Sequence, residues 1–152
     1  MNVSIVTFIA LEVRSSRSRI EKAKEIAGAI HDIGRYRWVG IYDVGHEVVS
    51  ILAYDGPGAP AFPQFPVTKG LTAAAIREKK TVIVGDVLTD SRYLTAFGST
   101  RSEMIVPVID QNTGAVVGTI DVESENPNAF SDRDQIMLER CAEAARPLWI
   151  QG

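Results

Sequence analysis

The sequence predicts an α+β domain with a mainly antiparallel sheet. Three observations lead to this prediction: an amphipathic helical pattern lies near each end of the chain, runs rich in β-branched and aromatic residues lie between them, and short turns join several of these runs as hairpins. The chain has 152 residues, 45% of them hydrophobic, which is the size and composition of one globular domain. We therefore expect a single domain over residues 1–152.

Charge and cysteine content argue against several functional classes. The formal net charge is -3 with both signs interspersed, so no basic patch predicts a nucleic-acid partner. One cysteine excludes an internal disulfide, and the two histidines, His31 and His46, are too few for a dedicated zinc site. The apolar N-terminal run lacks a basic region and, at about 11 residues, is too short to cross a membrane. We expect a cytoplasmic protein without a metal, a cofactor or a membrane partner.

The first helix is predicted from its capping residues. Residues 1–16 precede it as an N-terminal extension, and its run VSIVTFIALEV fits a strand, a helix or an arm swapped within a dimer. Ser18 and Glu21 then make a capping box, which predicts a helix over residues 19–33 that ends at Gly34. The predicted apolar stripe of this helix is formed by Ile20, Ala23, Ala27 and Ile30.

Residues 35–44 and 47–56 are predicted to form a hairpin. Both runs are rich in aromatic and β-branched residues, and a short turn containing glycine and histidine separates them. Alternation along the first strand places Trp38, Gly40 and Tyr42 on one face of the sheet.

Loops and short regular elements alternate in the middle of the chain. Residues 56–66 hold four of the seven prolines and cannot be a central strand, so we expect a loop that crosses the domain as a candidate lid. Residues 70–80 fit a short helix and residues 81–87 a strand, and residues 88–101 form a second long loop. Lys69 and the start of the short helix could meet an anionic ligand group, or Lys69 could be a solvated lysine beside a turn.

A capped helix is predicted near the C-terminus. Ser131 and Asp134 form its capping box. Cys141 falls on the apolar stripe of this helix, so we expect it to be a buried structural residue rather than a reactive thiol. The members of that stripe are Met137, Cys141, Ala144, Ala145 and Leu148.

Three acids lie near the outer ends of a predicted hairpin over residues 102–124. A three-residue turn that ends at Gly114 would place Glu103 opposite Glu123. The same register puts Asp121 on the face of the other two acids. Both faces of the hairpin are apolar in the middle, which predicts a position at the centre of the sheet with layers on either side.

These three acids, which we call the acid cluster, allow three interpretations. Facing carboxylates repel each other, and burial raises their pKa values unless a cation or hydrogen-bond donors compensate. The cluster could be the floor of a concave site that binds the ammonium group of a ligand. The strand ends could instead fray, with Glu103 and Glu123 in water and Asp121 bonded to backbone amides. Finally, an arginine of the neighbouring loop, Arg92 or Arg101, could neutralise the acids internally.

Four stretches together resemble the GAF domain, a small-molecule-binding module of many bacterial sensors. They are VIVGDVLTDSRYL (82–94), SEMIVPV (102–108), GAVVGTIDVES (114–124) and NAFSDRD (128–134). The resemblance extends over residues 17–149. It implies a central antiparallel sheet of about six strands, N- and C-terminal helices packed on one face and a ligand pocket on the other. It also implies a homodimer formed through the terminal helices.

Within that family, the run YRWVGIY and the length of the chain resemble the free methionine-R-sulfoxide reductases, which reduce the oxidised free amino acid with cysteine thiols. This resemblance implies ligand-binding roles for Glu103, Asp121 and Glu123, and pocket walls formed by Trp38 and Tyr42. The reductases have aspartate at position 123, so the longer glutamate is expected to intrude into the pocket.

The redox positions depart from the reductase pattern. Phe62, Thr72 and Ala96 occupy the places where the resemblance implies three cysteines. Sulfoxide reduction by that route needs a nucleophilic thiolate and a resolving thiol, which these residues cannot supply.

We therefore expect a non-catalytic sensor or regulatory domain that binds a small metabolite, such as an amino acid or a derivative. The ligand would lie between the acid cluster and the loops at residues 56–70 and 86–101. One alternative is a reductase-like enzyme with a relocated or borrowed thiol. Another is a structural interaction domain whose pocket is filled, for which Phe62 and Glu123 are the evidence.

Overall fold

In the computed structural model, which describes residues 4–95 and 97–150, six strands form one antiparallel sheet. Their order across the sheet is β3-β2-β1-β6-β5-β4, so β5 and β6 are both interior strands, as predicted for the hairpin that holds the acids. The α+β prediction is confirmed. The strands are β1 (Trp38–Val44), β2 (Val48–Asp55), β3 (Gln64–Pro66), β4 (Val82–Val84), β5 (Ser102–Ile109) and β6 (Val116–Ser124).

Within the described residues, four α-helices cover the two faces of the sheet. They are α1 (Ile5–Glu12), α2 (Arg19–Gly34), α3 (Gly70–Glu78) and α4 (Asp132–Ala145). Helices α1, α2 and α4 share a core with one face of the sheet, and α3 packs on the opposite face against β4 and β5. The N- and C-terminal helices therefore lie together on one face, and the other face is left to α3 and the two long loops. Among the described helices, none is both long enough and apolar enough to span a membrane.

Residues Ile5–Glu12 of the N-terminal extension form helix α1, one of the three structures that the sequence allowed, and residues 1–3 lie outside the described residues. The Ser4 side chain caps this helix by accepting a hydrogen bond from the Thr7 amide. Ile9 is fully buried against the neighbouring helices. The Glu12 side chain at the end of α1 pairs with Arg17, which lies in the turn before α2.

Helix α2 has the predicted capping box, but it ends differently from the prediction. Gly34 is still helical, and Arg35 adopts the left-handed conformation with φ 54° that ends the helix. Glycine is needed at position 34 because a Cβ atom there would lie 2.0 Å from the Tyr36 ring. Within the predicted stripe Ile20 is exposed, and Ile26 is buried in its place.

Residues 56–66, which we call the proline-rich segment, contain a strand that the sequence did not predict. Residues Gln64–Pro66 form β3, which pairs with β2 at one edge of the sheet. Proline is compatible with an edge strand, because an unpaired edge requires no donor on its outer side. The expectation of a loop is therefore wrong for these three residues.

The β5–β6 hairpin has the predicted register with a different turn. Glu103 faces Glu123, as predicted. The turn is longer by one residue, since the amide of Asp110 bonds to the carbonyl of Ala115. The pairing shifts between Val108 and Ile109, where β6 has an extra residue, and this bulge restores the register that a three-residue turn would have given. Glycine occupies the left-handed position of the turn, with φ +75° at residue 114.

Candidate functional site

The acid cluster lies on the face of the sheet that α3 covers. Asp121 faces Gly40 of β1 across the strand pair, and Glu123 faces both Trp38 of β1 and Glu103 of β5. The three side chains are 7% (Glu103), 4% (Asp121) and 2% (Glu123) exposed. The interpretation in which the strand ends fray into water is therefore wrong.

The arginines of the neighbouring loop do not neutralise the cluster. Arg92 pairs with Asp90, and Arg101 pairs with Asp86. Over residues 4–95 and 97–150, no ion pair includes a member of the acid cluster. The interpretation in which an arginine of the loop neutralises the acids is therefore wrong, because no ion pair from the described part of the chain reaches their carboxyl groups.

The three carboxyl groups differ in their hydrogen bonds. The Thr100 hydroxyl donates to Oε1 of Glu123 at 2.6 Å, and the Tyr93 hydroxyl lies 3.4 Å from the same oxygen. Oδ1 of Asp121 is fully buried without a partner among the described residues. The carboxyl group of Glu103 likewise accepts no hydrogen bond from the described part of the chain. Hydrogen bonds therefore hold the longer side chain of Glu123 against the second long loop, whereas the carboxyl groups of Asp121 and Glu103 lie at the cavity without such bonds.

Burial raises the pKa of every carboxyl group in the cluster. The pKa of Asp121 rises to about 8, because burial outweighs the nearby Thr119 hydroxyl and Glu123 adds to the increase. Burial and the charges of its two neighbours hold the pKa of Glu103 well above its usual range. The pKa of Glu123 is also raised by burial, although the hydroxyls of Thr100 and Tyr93 oppose the rise. A buried cluster of this kind favours either protons or a bound cation.

Aromatic side chains form a wall beside the acids. Trp38 lies at the centre of this wall, with ring centroids 6.1 Å from Tyr54, 5.3 Å from Phe97 and 6.3 Å from Tyr42. Its indole N–H donates to the carbonyl of Gly58 at 3.0 Å. Trp38 thus contacts both the proline-rich segment and the second long loop.

A small cavity lies between the acid cluster, α3 and these loops. Its volume is about 30 Å³, which is room for about two water molecules and too little for an amino acid. Phe62 and Thr72, two of the positions where cysteines were expected, line it; the third, Ala96, lies outside the described residues. Phe62 is 43% exposed, so its ring can leave the cavity without uncovering a core. The residues that line the cavity are Tyr42, Phe62, Phe65, Gly70, Leu71, Thr72, Leu94, Glu103, Asp121 and Glu123.

The first turn of α3 also borders the cavity. The helix begins at Gly70 after Lys69, whose side chain makes no capping hydrogen bond. Lys69 is exposed and does not line the cavity. The backbone amides of this turn are therefore the group that suits an anion in this part of the site.

The histidines lie away from the acid cluster. Nδ1 of His31 lies 2.8 Å from Oδ2 of Asp55. Asp32 brings a third possible ligand atom within 4.8 Å of these two. The group is partly exposed and already contains the hydrogen-bonded pair of His31 and Asp55, so its geometry is explained without a metal. His46 is exposed in the β1–β2 turn.

Cys141 is buried in the core on the opposite face of the sheet, as predicted. Burial raises the pKa of its thiol to about 12. We expect the native protein to resist labelling by a thiol reagent at pH 8 and to react with one equivalent after unfolding in urea. Fast stoichiometric labelling of the folded protein would contradict this assignment.

The bond from Thr100 to Glu123 gives a stability prediction. Thr100 is 2% exposed, so valine can replace it in shape but cannot donate to the carboxyl group. We expect Thr100→Val to lower the free energy of unfolding by about 1.5 kcal/mol, measured by urea denaturation. Thr68→Val, at an exposed position, is the matched control. Equal stability of the two variants would mean that the hydroxyl contributes nothing at Glu123.

The sequence did not identify Thr100, Tyr93 or Leu94 as part of the site. All three lie in the second long loop, and their approach to the sheet depends on tertiary packing. One feature of the sequence could have indicated them: the second long loop leads directly into the strand that holds Glu103, so the last residues of this loop must lie beside the acids.

Comparison with known proteins gives a consistent set of relatives. The family model described as GAF domain matches residues 17–146. GAF domain-containing protein A of Dictyostelium discoideum is 28% identical over 122 residues, which cover 80% of this chain and 75% of that protein.

Two further relatives are free methionine-R-sulfoxide reductases. The solved structure of the type II enzyme from Thermoplasma acidophilum superposes with a TM-score of 0.76 at 31% identity, covering 86% of this chain and 94% of that one. The enzyme of Saccharomyces cerevisiae is 33% identical over 108 residues, or 69% of this chain and 58% of that protein. The similarities in sequence and in fold therefore agree with each other, since both include GAF domain proteins and free methionine-R-sulfoxide reductases.

Proposed function

Because this chain belongs to the GAF domain family, we propose that it is a non-catalytic sensor or regulatory module that binds a small molecule with a cationic end. An amino acid or a derivative of one is the proposed ligand. The observation that supports this most directly is Oδ1 of Asp121, a fully buried carboxyl oxygen without a partner among the described residues, in the lining of a cavity. A ligand N–H group would supply the missing donor.

The proposed ligand lies with its ammonium group on the acid cluster and its body against the aromatic wall. Tyr42 lines the cavity beside the acids, and Trp38 packs against Tyr42. A cation next to aromatic faces gains further stabilisation from their electron-rich surfaces. The backbone amides at the start of α3 are the available site for a ligand carboxylate.

Entry of a ligand requires movement of the two loops. The cavity holds only about two water molecules in the closed arrangement. The proline-rich segment is held by the bond from Trp38 to Gly58, and the second long loop is held by the contact of Phe97 with Trp38. We propose that both loops act as lids and that the exposed ring of Phe62 swings outward first.

A second candidate function is reduction of a sulfoxide. The type II free methionine-R-sulfoxide reductase of Thermoplasma acidophilum, 31% identical over most of both chains, supports it. Against it, Phe62 and Thr72 line the cavity where thiols are expected, and Cys141 is buried on the other face of the sheet. Such an enzyme would need a thiol from a partner. Thiol-dependent turnover of methionine sulfoxide that survives Cys141→Ser would support this candidate.

We also propose that the protein acts in the cytoplasm as a homodimer, formed through the terminal helices. Four large apolar side chains are exposed on or beside these helices: Leu11, Ile20, Ile33 and Ile136. Burial of such side chains against a second copy would remove apolar surface from water. Light scattering at high protein concentration tests this proposal, and a strict monomer would refute it.

The experiment that tests ligand binding is a thermal-shift screen. Free amino acids, their derivatives, both diastereomers of methionine sulfoxide and nucleotides are compared with wild-type protein and Asp121→Asn. A ligand at 100 times its dissociation constant adds about 2.7 kcal/mol to the free energy of unfolding, which is a clear shift. We expect stabilisation by an amine-bearing compound that the variant loses. No shift with any compound would instead favour an interaction domain with a filled pocket.

A further inference from the structure

A groove lies along the outer side of β5, where β4 ends. Its volume is about 460 Å³, and it is bounded by β5, by α4 and by the turn between α3 and β4. Among the described residues, β4 pairs with residues 103–105 of β5, whereas β5 continues to Ile109. Residues 106–109 therefore have β6 on one side and this groove on the other. We call it the edge groove, and no member of the acid cluster lines it.

Backbone groups of β5 face the edge groove. Nε of Arg146 donates to the carbonyl of Ile109 at 3.0 Å, so this carbonyl points away from β6. Because the backbone groups of alternate residues in a strand point to the same side, the carbonyl of Pro107 also faces the groove. Proline suits this position, since an edge without a neighbouring strand requires no N–H group there. The carbonyl of Pro107 and the N–H of Ile109 are the acceptor and the donor that an added strand would use.

The floor of the edge groove is apolar. Val106, Val108 and Ala142 line it, and all three are buried. A strand laid beside β5 would pack alternate side chains on this surface, because successive side chains of a strand point to opposite faces. An extended segment therefore finds both backbone partners and apolar contacts in the groove.

Three cations line the edge groove without an ion pair. They are Lys79 and Lys80, which are exposed, and Arg146, whose Nε holds it at the end of β5. No ion pair within residues 4–95 and 97–150 includes any of the three. Their charges are therefore available to a partner.

The two acids of the edge groove offset these cations only in part. Oε2 of Glu139 accepts hydrogen bonds from the hydroxyl of Thr81 at 2.6 Å and from the side-chain amide of Gln135 at 3.2 Å. Glu143 is exposed on α4, and its carboxyl group has no partner in the described ranges of the chain. An acidic segment would thus meet three unpaired cations, whereas a basic segment would meet one unpaired acid. Charge complementarity therefore favours an acidic partner.

We propose that the edge groove binds an extended acidic segment of a partner protein, which adds to the sheet as a strand beside residues 106–109. The backbone of the segment pairs with Pro107 and Ile109, and its apolar side chains pack on the floor of the groove. Its carboxylates reach the three cations that line the groove. The interaction uses neither the cavity nor the acid cluster, so its test is independent of the ligand screen.

Seven-residue peptides of alternating pattern test the proposal. In each peptide glutamate alternates with valine, leucine, phenylalanine or tyrosine, and a counterpart carries lysine in place of glutamate. Binding of the labelled peptides to the wild-type protein is measured by fluorescence anisotropy. We expect at least one acidic peptide to bind about tenfold more tightly than its lysine counterpart, and we expect this difference to shrink at high salt.

Two double variants locate the binding site. Lys79→Glu with Lys80→Glu reverses two charges of the edge groove, and Arg14→Glu with Lys24→Glu makes the same change of net charge at exposed positions outside it. We expect the first to weaken binding of the acidic peptide about tenfold and the second to leave its affinity within about twofold. N-methyl groups on alternate amides of the peptide should abolish binding in one frame and leave it intact in the other, because only every second N–H of an added strand faces β5.

Each contrary result overturns the proposal. If the two double variants bind the acidic peptide equally well, the peptide lies outside the edge groove. If both methylation frames retain binding, no strand is added to the sheet. If no acidic peptide binds, or if the lysine peptides bind as tightly, the groove does not recognise an acidic segment. Oligothymidylate that binds where the peptides do not, and that the Lys79→Glu and Lys80→Glu variant loses, would identify a nucleic-acid surface instead.

Discussion

Asp121→Asn is expected to raise the free energy of unfolding at pH 9 and to leave it nearly unchanged at pH 5. The carboxyl group is 4% exposed, and one of its oxygens has no partner among the described residues. At high pH the folded protein must hold this group as an unpaired buried anion, which is destabilising. Asparagine removes the charge, and its amide can donate to a neighbouring carboxylate of the cluster.

The direction of the pH dependence follows from the raised pKa. In the unfolded chain Asp121 ionises near pH 4, whereas burial raises its folded pKa to about 8. Between these values the folded protein binds the proton and the unfolded chain does not, so stability is highest below pH 4 for this group and falls as pH rises toward 8. For each such group the free energy of unfolding falls by about 1.4 kcal/mol per pH unit within this range. A rise of two pH units therefore lowers it by about 3 kcal/mol.

Chemical denaturation from pH 5 to pH 9 measures this effect. The wild-type protein should lose stability across the range, and Asp121→Asn should show a smaller slope. The exposed Asp32→Asn provides the same chemical change without burial and should follow the wild type. A wild-type protein that grows more stable toward pH 9 would show that the cluster holds its charges without cost.

Gly40→Val is expected to destabilise the protein by about 3 kcal/mol and to abolish ligand binding. A Cβ atom at position 40 would lie 2.2 Å from Cη2 of Trp38 and 2.9 Å from Cε2 of Tyr42. Trp38 is 1% exposed and has no free space to enter, so the indole must leave its place above the strand. Its bond to the carbonyl of Gly58 is then lost, together with its contact to Tyr42, which lines the cavity.

Urea denaturation and the ligand screen together test this prediction. Gly98→Val is the matched control, because a Cβ atom at Gly98 meets nothing within 4 Å. We expect Gly98→Val to keep the stability and the tryptophan fluorescence of the wild type. We expect Gly40→Val to be less stable and to have a shifted fluorescence spectrum. Two variants of equal stability would mean that Trp38 can be displaced freely, and the aromatic wall would then have no role in shaping the site.

The sequence was sufficient for the features that depend on local pattern. Capping boxes at Ser18 and Ser131 located the starts of α2 and α4. Alternation placed Trp38 and Tyr42 on one face, since the side-chain period of a strand leaves no other choice. The facing of Glu103 and Glu123 was predicted from a three-residue turn; the turn has four residues, and the prediction is correct because the bulge in β6 restores the register.

Features that depend on long-range packing could not be predicted in this way. Arg35 ends α2 in a conformation that glycine usually adopts, because Gly34 is needed beneath the Tyr36 ring. Thr100 reaches Glu123 only after the second loop has folded across the sheet. The size of the cavity depends on the positions of the Phe62 and Leu94 side chains. Both residues lie in loops, which have no periodic pattern from which those positions could be predicted.

Because of the bulge in β6, the number of residues in the β5–β6 turn does not by itself determine which residues of the acid cluster face each other. The pairing shifts by one residue between the turn and Val108, and from Val108 outward to Ser102 it is regular. A one-residue deletion at residue 117 would remove the bulge and leave the four-residue turn and the outer pairs as they are. Homologues can therefore differ in length at this end of the hairpin while their acids stay aligned. For the same reason, the exposed turn around Asn112 is a suitable place to insert a peptide tag or a fluorescent reporter.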